Sequence, residues 1–506
     1  MTTVVCASEF RIDQNGEPSI FAFDNSYARL PDRFFARVSP TPVVAPKLIQ
    51  LNEVLTADLG LNAELLSSPQ GVAWLSGNEL PSGSVPIAMA YAGHQFGQFV
   101  PQLGDGRAIM LGEIVGCDGL RYDIQLKGAG RTPFSRNGDG RAALGPVLRE
   151  YIVSEAMASL GIPTTRSLAA VTTGDVVVRD TALPGAILTR VAASHIRIGT
   201  FQYFAAWGDR DGIRLLADYV IARHYPACAK APNPYRAFFE AVIERQAELV
   251  ARWLLVGFIH GVMNTDNMAI SGETIDYGPC AFLDAYDPAK TFSSIDVRGR
   301  YAYGNQPRIA HWNLSRLAET LLPFFAESEE DAVAAAQEAL DGFAPKFNSV
   351  YTAGLCRKIG LQQTRAGDVD LAKDLLARMS ENHADFTLTF RRLCDAVDGS
   401  GTAVRALFGN PESFDEWAVR WRQRLAEEAI DQATRSGMMR AANPAFIPRN
   451  HRIEEAITAA VGRGDFAPFR TLLMVLSNPY SDQPGFENYA DPPRPDQIVE
   501  QTFCGT

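Results

Sequence analysis

From about residue 108 the chain alternates apolar and polar positions in short bursts. AIMLGEIVG (108–116) and LRYDIQLKG (120–128) each fit a strand, and the CDG between them supplies a tight turn, so the pair predicts a hairpin. PVLREYIVSEAMASLG (146–161) then places its apolar residues at helical spacing and closes on glycine, the pattern of an amphipathic helix. SLAAVTTGDVVVRD and GAILTRVA return to strand composition. From about residue 207 onward helical spacing dominates, in DGIRLLADYVIARHY, AFFEAVIERQAELVARWLLVGFIHGVM, ESEEDAVAAAQEALDGFAPKFNSVY and FDEWAVRWRQRLAEEAI. Upstream, LIQLNEVLTADLGL reads as a helical run, and LPSGSVPIAMAYAGHQFGQFVPQLGDGR (80–107), dense in Gly and Pro, as loop and turn. The tail YADPPRPDQIVEQTFCGT is proline-rich and expected to be extended.

Composition narrows the function classes. At 506 residues, 46% hydrophobic and 21% charged, the chain can build a large core and is long for a single one. A formal net charge of −11 argues against nucleic acid as a partner, because no field draws a phosphate backbone. The opening MTTVVCASEF has neither signal-peptide nor transit-peptide character, and WLLVGFIHGVM is too short and too soon interrupted to span a bilayer. The expectation is a cytoplasmic protein with no membrane partner. Cysteines 6, 117, 228, 280, 356, 394 and 504 show no C-x-x-C pair or metal spacing, so they read as free thiols. His94 and His195 likewise show no ligand spacing.

The chemistry concentrates in HGVMNTDNMAISGETIDYGPC (260–280). A protein kinase carries H-R-D-x-x-x-x-N followed by D-F-G. Here His260 takes the first place, Asn267 the asparagine place and Asp276-Tyr277-Gly278 the D-F-G place, while Val262 stands where the catalytic aspartate belongs. Asn267 and Asp276 are hard oxygen donors suited to Mg²⁺. Asp266 is the nearest carboxylate able to serve as base, or else it caps the loop. His260 reads as a brace for the metal segment rather than a catalytic group. Upstream, Lys127 ends a predicted strand and Glu150 lies on the following helix, the order in which a kinase aims an ammonium at phosphates. Alone that pair could be a surface ion pair of little value. A strand-rich part followed by a larger helical part, with these motifs in this order, predicts an α+β, protein-kinase-like two-lobed fold with N- and C-terminal extensions. The divisions expected are 1–82 for the N-terminal extension, 83–206 for the N-lobe, 207–430 for the helical C-lobe and 431–506 for the C-terminal extension.

Neither a kinase glycine loop nor a Walker motif is present. Instead, three clusters lie within about forty residues: Gly104-Asp105-Gly106-Arg107, Lys127-Gly128-Ala129-Gly130 and Gly138-Asp139-Gly140-Arg141. Glycine lets backbone N–H groups close on phosphate oxygens, and arginine adds a forked donor. Any one cluster could be a tight turn; three carrying Arg or Lys point to phosphate. Arg190 and Arg197, seven apart, would share a face on a helix and be splayed apart in an extended segment, and they read as a phosphate clamp or a solvated basic patch.

GHQFGQFVPQLGDGRA, LKGAGRTPFSRNGDGRA, RVAASHIRIGTFQYF, HGVMNTDNMAISGETIDYGPC and the terminal TFCGT together resemble the selenoprotein O family, over nearly the whole chain from about residue 20. The resemblance implies a pseudokinase-like fold in which ATP lies flipped, so that AMP passes to a Ser, Thr or Tyr hydroxyl of a protein substrate and pyrophosphate leaves. It implies nucleotide binding by Gly104, Gly106, Arg107, Lys127, Asp139, Gly140, Arg190, Arg197 and Asp276, catalysis by Asp266, and Mg²⁺ (or Mn²⁺) on Asn267 and Asp276. It also implies a redox disulfide between Cys280 and Cys504, the latter at the selenocysteine position of some relatives. The molecule is expected to act as a monomer. Two other readings stay open on residues alone: a kinase transferring the γ-phosphate, and an inactive ATP-binding scaffold.

Overall fold

The computed structural model of the chain describes residues 11–12 and 18–503. Its centre is an eight-stranded antiparallel sheet. In spatial order seven strands run Phe35–Arg37, Ile87–Met89, Ala108–Val115, Arg121–Lys127, Ala182–Ala192, Arg166–Val178 and Lys47–Leu51, with Ala142–Ala143 pairing Ala182–Ala192 off this path. Ala108–Val115 and Arg121–Lys127 form the expected hairpin, Val115 facing Arg121 across the turn. The expected helix is Leu144–Ser159.

Strand alternation divides the sheet's residues between two cores. Ile109, Leu111, Ile124, Leu126, Ile187 and Val191 face a smaller core closed by Phe21, Leu55, Leu66 and Leu75. Met110, Ala186 and Leu188 face the other way, onto Leu148 and Ile152 of the helix Leu144–Ser159 and the main core. That second face carries the chemistry. The main core continues through the long helix Pro234–Val256 and the helices after it. Residues beyond 430 join it rather than hang from it: Tyr151 meets Phe469 edge to face at 5.6 Å.

Several sequence expectations need correction. LIQLNEVLTADLGL is not one helix, because Lys47–Leu51 pairs with Arg166–Val178 at the sheet edge and only Glu53–Asp58 is helical, capped by Asn52. The supposed loop 80–107 holds three short strands, Ile87–Met89, Gly93–Gln95 and Gln98–Val100. The helix read through residue 263 stops at Val256, where Gly257 caps it and the strand Phe258–Ile259 begins. The helix read over 327–351 is two, Glu329–Asp341 and Phe343–Lys358. The architecture is therefore mixed α+β, strand-rich first and helical afterwards. Among the described residues no helix is long and apolar enough to cross a membrane.

Candidate active site

Lys127 and Arg190 sit on neighbouring strands, with Gln125 opposite Arg190 and Leu188 opposite Lys127. The register puts both cations on the helix-facing side of the sheet, where Glu150 receives them. Lys127 Nζ donates to Glu150 Oε2 at 2.5 Å, and Arg190 donates to Oε1 through Nε at 2.9 Å and also through Nη2. Burial opposes ionisation of Glu150, but Arg190 and Lys127 outweigh it and hold the carboxyl below its ordinary range. Burial holds the Lys127 ammonium below its usual value in spite of Glu150.

Asp276 gathers the same cations from the other side. Arg190 Nη2 reaches its Oδ1 at 2.7 Å, Lys127 Nζ lies 3.4 Å from Oδ1, and Arg197 Nη1 donates to Oδ2. Burial again works against the charge, and Arg197, Arg190 and Lys127 reverse it, leaving Asp276 well below the carboxylate range. Its backbone is left-handed (φ 61°), a conformation that such contacts must hold in place. Arg190 and Arg197 thus meet, but not by sharing a helix. Arg190 projects from a strand, whereas Arg197 is the N-cap residue of the helix Ile198–Ala206, its guanidinium 4.7 Å from the Tyr91 ring centre.

The segment before Asp276 is braced as the motif implied. His260 donates from Nε2 to the Ile275 carbonyl at 2.9 Å and accepts the Val262 amide at Nδ1. Burial keeps its imidazole neutral by lowering its pKa. Asn267 donates its amide nitrogen to the Val262 carbonyl at 2.9 Å, which leaves Oδ1 as its spare atom. Asp266 is 7% exposed; Oδ2 accepts from Gln95 Nε2 at 3.3 Å, and Oδ1, also buried, has no hydrogen-bond partner among the described residues. Burial raises this carboxyl to about 6, against the pull of Arg197. Asn267 Oδ1 and the Asp276 carboxylate are hard oxygen donors of the kind that suits Mg²⁺, whose remaining ligands are water or phosphate. Among the described residues no group of three or more His, Cys, Asp or Glu is arranged to hold a metal alone.

The three glycine clusters form one layer of loops. Gly104 and Gly106 lie against Phe134; Thr132 and Ser135 hydroxyls donate to the Asp105 and Gly106 carbonyls. The Gly128 amide donates to the Arg107 carbonyl, and the half-buried Arg107 adds to the positive field on Lys127. Gly140 (φ 69°) is so close to the Gly130 carbonyl that a Cβ would lie 2.0 Å away, so only glycine fits. Asp139 stands apart from the Asp276 cluster. It accepts from Arg179 at 2.8 and 3.0 Å and from the Arg141 amide at 2.9 Å, and the Arg179 hydrogen bonds lower its pKa. Arg179 was not anticipated, nor were Gln95 and Tyr91.

Cys280 is fully buried with its thiol pushed up to about 12, and it is a free thiol in the structure. Cys504 lies outside the described residues. The tail before it does reach this region: Thr502 donates from Oγ1 to the Pro279 carbonyl at 2.7 Å, and its backbone pairs with Phe292 and Ser294.

Cations focused on one carboxylate, with glycine loops beside them, suit a nucleotide's phosphates, and the class of protein so defined is a nucleotide-handling transferase. A family profile described as "Protein adenylyltransferase SelO" matches residues 19–477. The chain is also similar to the protein nucleotidyltransferase YdiU of Methylorubrum extorquens, with 67% identity over 96% of this chain and 100% of that protein. It shares 65% identity with the proteins of the same name from Rhodopseudomonas palustris and Bradyrhizobium diazoefficiens, over 96% of this chain and 99% of each. The chain belongs to the SelO family of protein adenylyltransferases, and is a nucleotidyltransferase.

Proposed function

We propose that the chain transfers AMP from ATP to Ser, Thr or Tyr hydroxyls of acceptor proteins and releases pyrophosphate. The observation that carries this reading is the division of labour between two carboxylates. Asp276 is saturated by Arg190, Arg197 and Lys127, whereas Asp266 keeps a buried oxygen with no partner among the described residues. The first belongs to phosphate and metal binding, and the second is free to take a proton. The three cations, aimed by Glu150 and Asp276, hold the polyphosphate and neutralise charge as the α-phosphorus is attacked, which supplies most of the stabilisation in such transfers. Asp266 accepts the acceptor hydroxyl's proton as its oxygen bonds to phosphorus. Mg²⁺ or Mn²⁺, held by Asn267 and Asp276 when bound, supplies further charge neutralisation.

The glycine layer around Gly104, Gly106 and Gly140, with Arg107, is the remaining nucleotide contact. Asp139 belongs to it through Arg179, which the ion pair keeps beside the loop. The order of elements, sheet first and helices after, supports a kinase-like two-lobed plan with the nucleotide between. Docking of Thr502 beside Pro279 supports redox control through Cys280 and Cys504, since it brings the tail to the residue preceding Cys280. The test uses ATP labelled at the α-phosphate. The wild-type chain should label acceptor proteins, and Asp266→Ala should lose labelling while still binding ATP; labelling that survives in Asp266→Ala refutes the role given to Asp266.

A further inference from the structure

The segment GHQFG is absorbed by none of the roles above, yet it is hydrogen-bonded directly to the loop carrying Asp266. Gly93–Gln95 and Gln98–Val100 form a hairpin whose turn, Phe96-Gly97, has φ of 51° and 85°. Three successive residues of the hairpin engage three successive residues of the loop. The Phe96 amide donates to Asn264 Oδ1 at 3.0 Å, the His94 amide to Thr265 Oγ1 at 2.7 Å, and Gln95 Nε2 to Asp266 Oδ2 at 3.3 Å. The first two contacts are themselves fixed. Tyr301 also donates to Asn264 Oδ1 at 2.6 Å; Thr265 donates to Gln202 Oε1 at 2.6 Å, and Gln202 Nε2 returns to His94 Nδ1 at 2.8 Å.

Gly93 leaves room for the Asp266 carboxylate. A Cβ there would lie 2.4 Å from Asp266 Oδ1 and 2.9 Å from its Cβ. The carboxylate is therefore bounded by a backbone on the Oδ1 side and by one amide donor on the Oδ2 side. A carboxylate with a single side-chain donor has one setting for its plane, and losing that donor frees the rotation that decides which oxygen meets the acceptor hydroxyl.

We propose that Gln95 is the positioning residue for Asp266: its amide holds Oδ2 while the Gly93 backbone confines the buried Oδ1, so that the plane of the carboxylate is set for the acceptor hydroxyl. The proposal rests on the transfer reading above and adds a residue of the hairpin to it. Among the described residues the Gln95 side chain donates to Asp266 and not to the carboxylates that gather Lys127, Arg190 and Arg197, so its effect falls on the transfer step and not on ATP binding.

The test compares Gln95→Met with wild type in the full-length chain. Methionine keeps the length and volume of glutamine and removes the donor. At saturating ATP and acceptor, kcat should fall by about 10- to 100-fold while KM for ATP stays within about twofold, the pattern of a group misplaced without loss of ground-state binding. Melting temperature should be unchanged. Gly93→Ala, which pushes on the same carboxylate from the other side, should give the same split. A wild-type kcat in Gln95→Met overturns the proposal, and so does a loss shared equally by kcat and nucleotide affinity, which marks a merely structural contact. If wild type proves to label acceptors from the γ position, the AMP reading fails, and the Gln95 comparison is read unchanged on phosphate transfer.

Discussion

Replacing Glu150 by glutamine removes one negative charge from the centre of the site and almost no volume. Glu150 is 3% exposed and accepts from Lys127 at 2.5 Å and from Arg190 at 2.9 Å, so both cations lose a buried counter-charge at once. Breaking a buried pair from one side costs about 3–5 kcal/mol. The low end applies, because the glutamine oxygen still accepts one hydrogen bond and Arg190 keeps its 2.7 Å contact with Asp276. A loss of about 3 kcal/mol lowers the Tm of a protein this large by several degrees. The lysine also loses its aim, and label transfer should fall by roughly 100-fold. Glu338→Gln is the matched control: it pairs with Arg236 at a similar 2.8 Å, but its side chain is 72% exposed. Water screens that pair, so the change should stay under about 1 kcal/mol and leave transfer untouched. Calorimetry and transfer of α-phosphate label read both variants. Equal Tm values for Glu150→Gln and Glu338→Gln, with transfer intact in both, would refute the reasoning that the buried charges aim the lysine.

Lys358 is 3% exposed against the rings of Phe390 and Phe386, and burial lowers its amine to about 7 from 10.5. Between those values the unfolded chain holds a proton that the folded chain does not, so wild-type stability gains about 1.4 kcal/mol per pH unit from this group as pH rises from 7 to 9. Lys358→Met should be more stable than wild type at pH 7, and denaturant titrations should show that advantage shrinking by pH 9; a constant difference contradicts the burial argument. Chelation of divalent metal should stop transfer, and Asn267→Ala should raise the Mg²⁺ needed for half-maximal rate by about tenfold or more, as losing a ligand does. Thr502→Val removes the hydroxyl that donates to the Pro279 carbonyl, so limited proteolysis should release the tail faster than in wild type.

Much of the site was legible because its signals are local. Lys127 ends a run whose alternation fixes its face, Glu150 lies in a strongly periodic helix, and His260, Asn267 and Asp276 keep motif spacing. What sequence could not show depends on register and on distant partners. The seven-residue interval between Arg190 and Arg197 left a shared helix face and a splayed strand both open; one residue belongs to a strand and the other to a helix cap, and Asp276 unites them. Lys47–Leu51 is a strand because Arg166–Val178 offers it an edge more than a hundred residues later. The hairpin at Gly93 reads as loop for its glycines, although its two strands of three residues are held by the loop 264–266 more than by their own composition. Arg179 finds Asp139 forty residues away, a pairing no spacing rule signals.

The central claim is that the phosphorus attacked is the α and that Asp266 takes the proton. Parallel reactions with ATP labelled at the α- or the γ-phosphate, each with acceptor protein and Mg²⁺, test it most directly. The account predicts stable protein label from the α position alone, pyrophosphate released in equal amount, and neither with Asp266→Ala. Protein label from the γ position alone contradicts it.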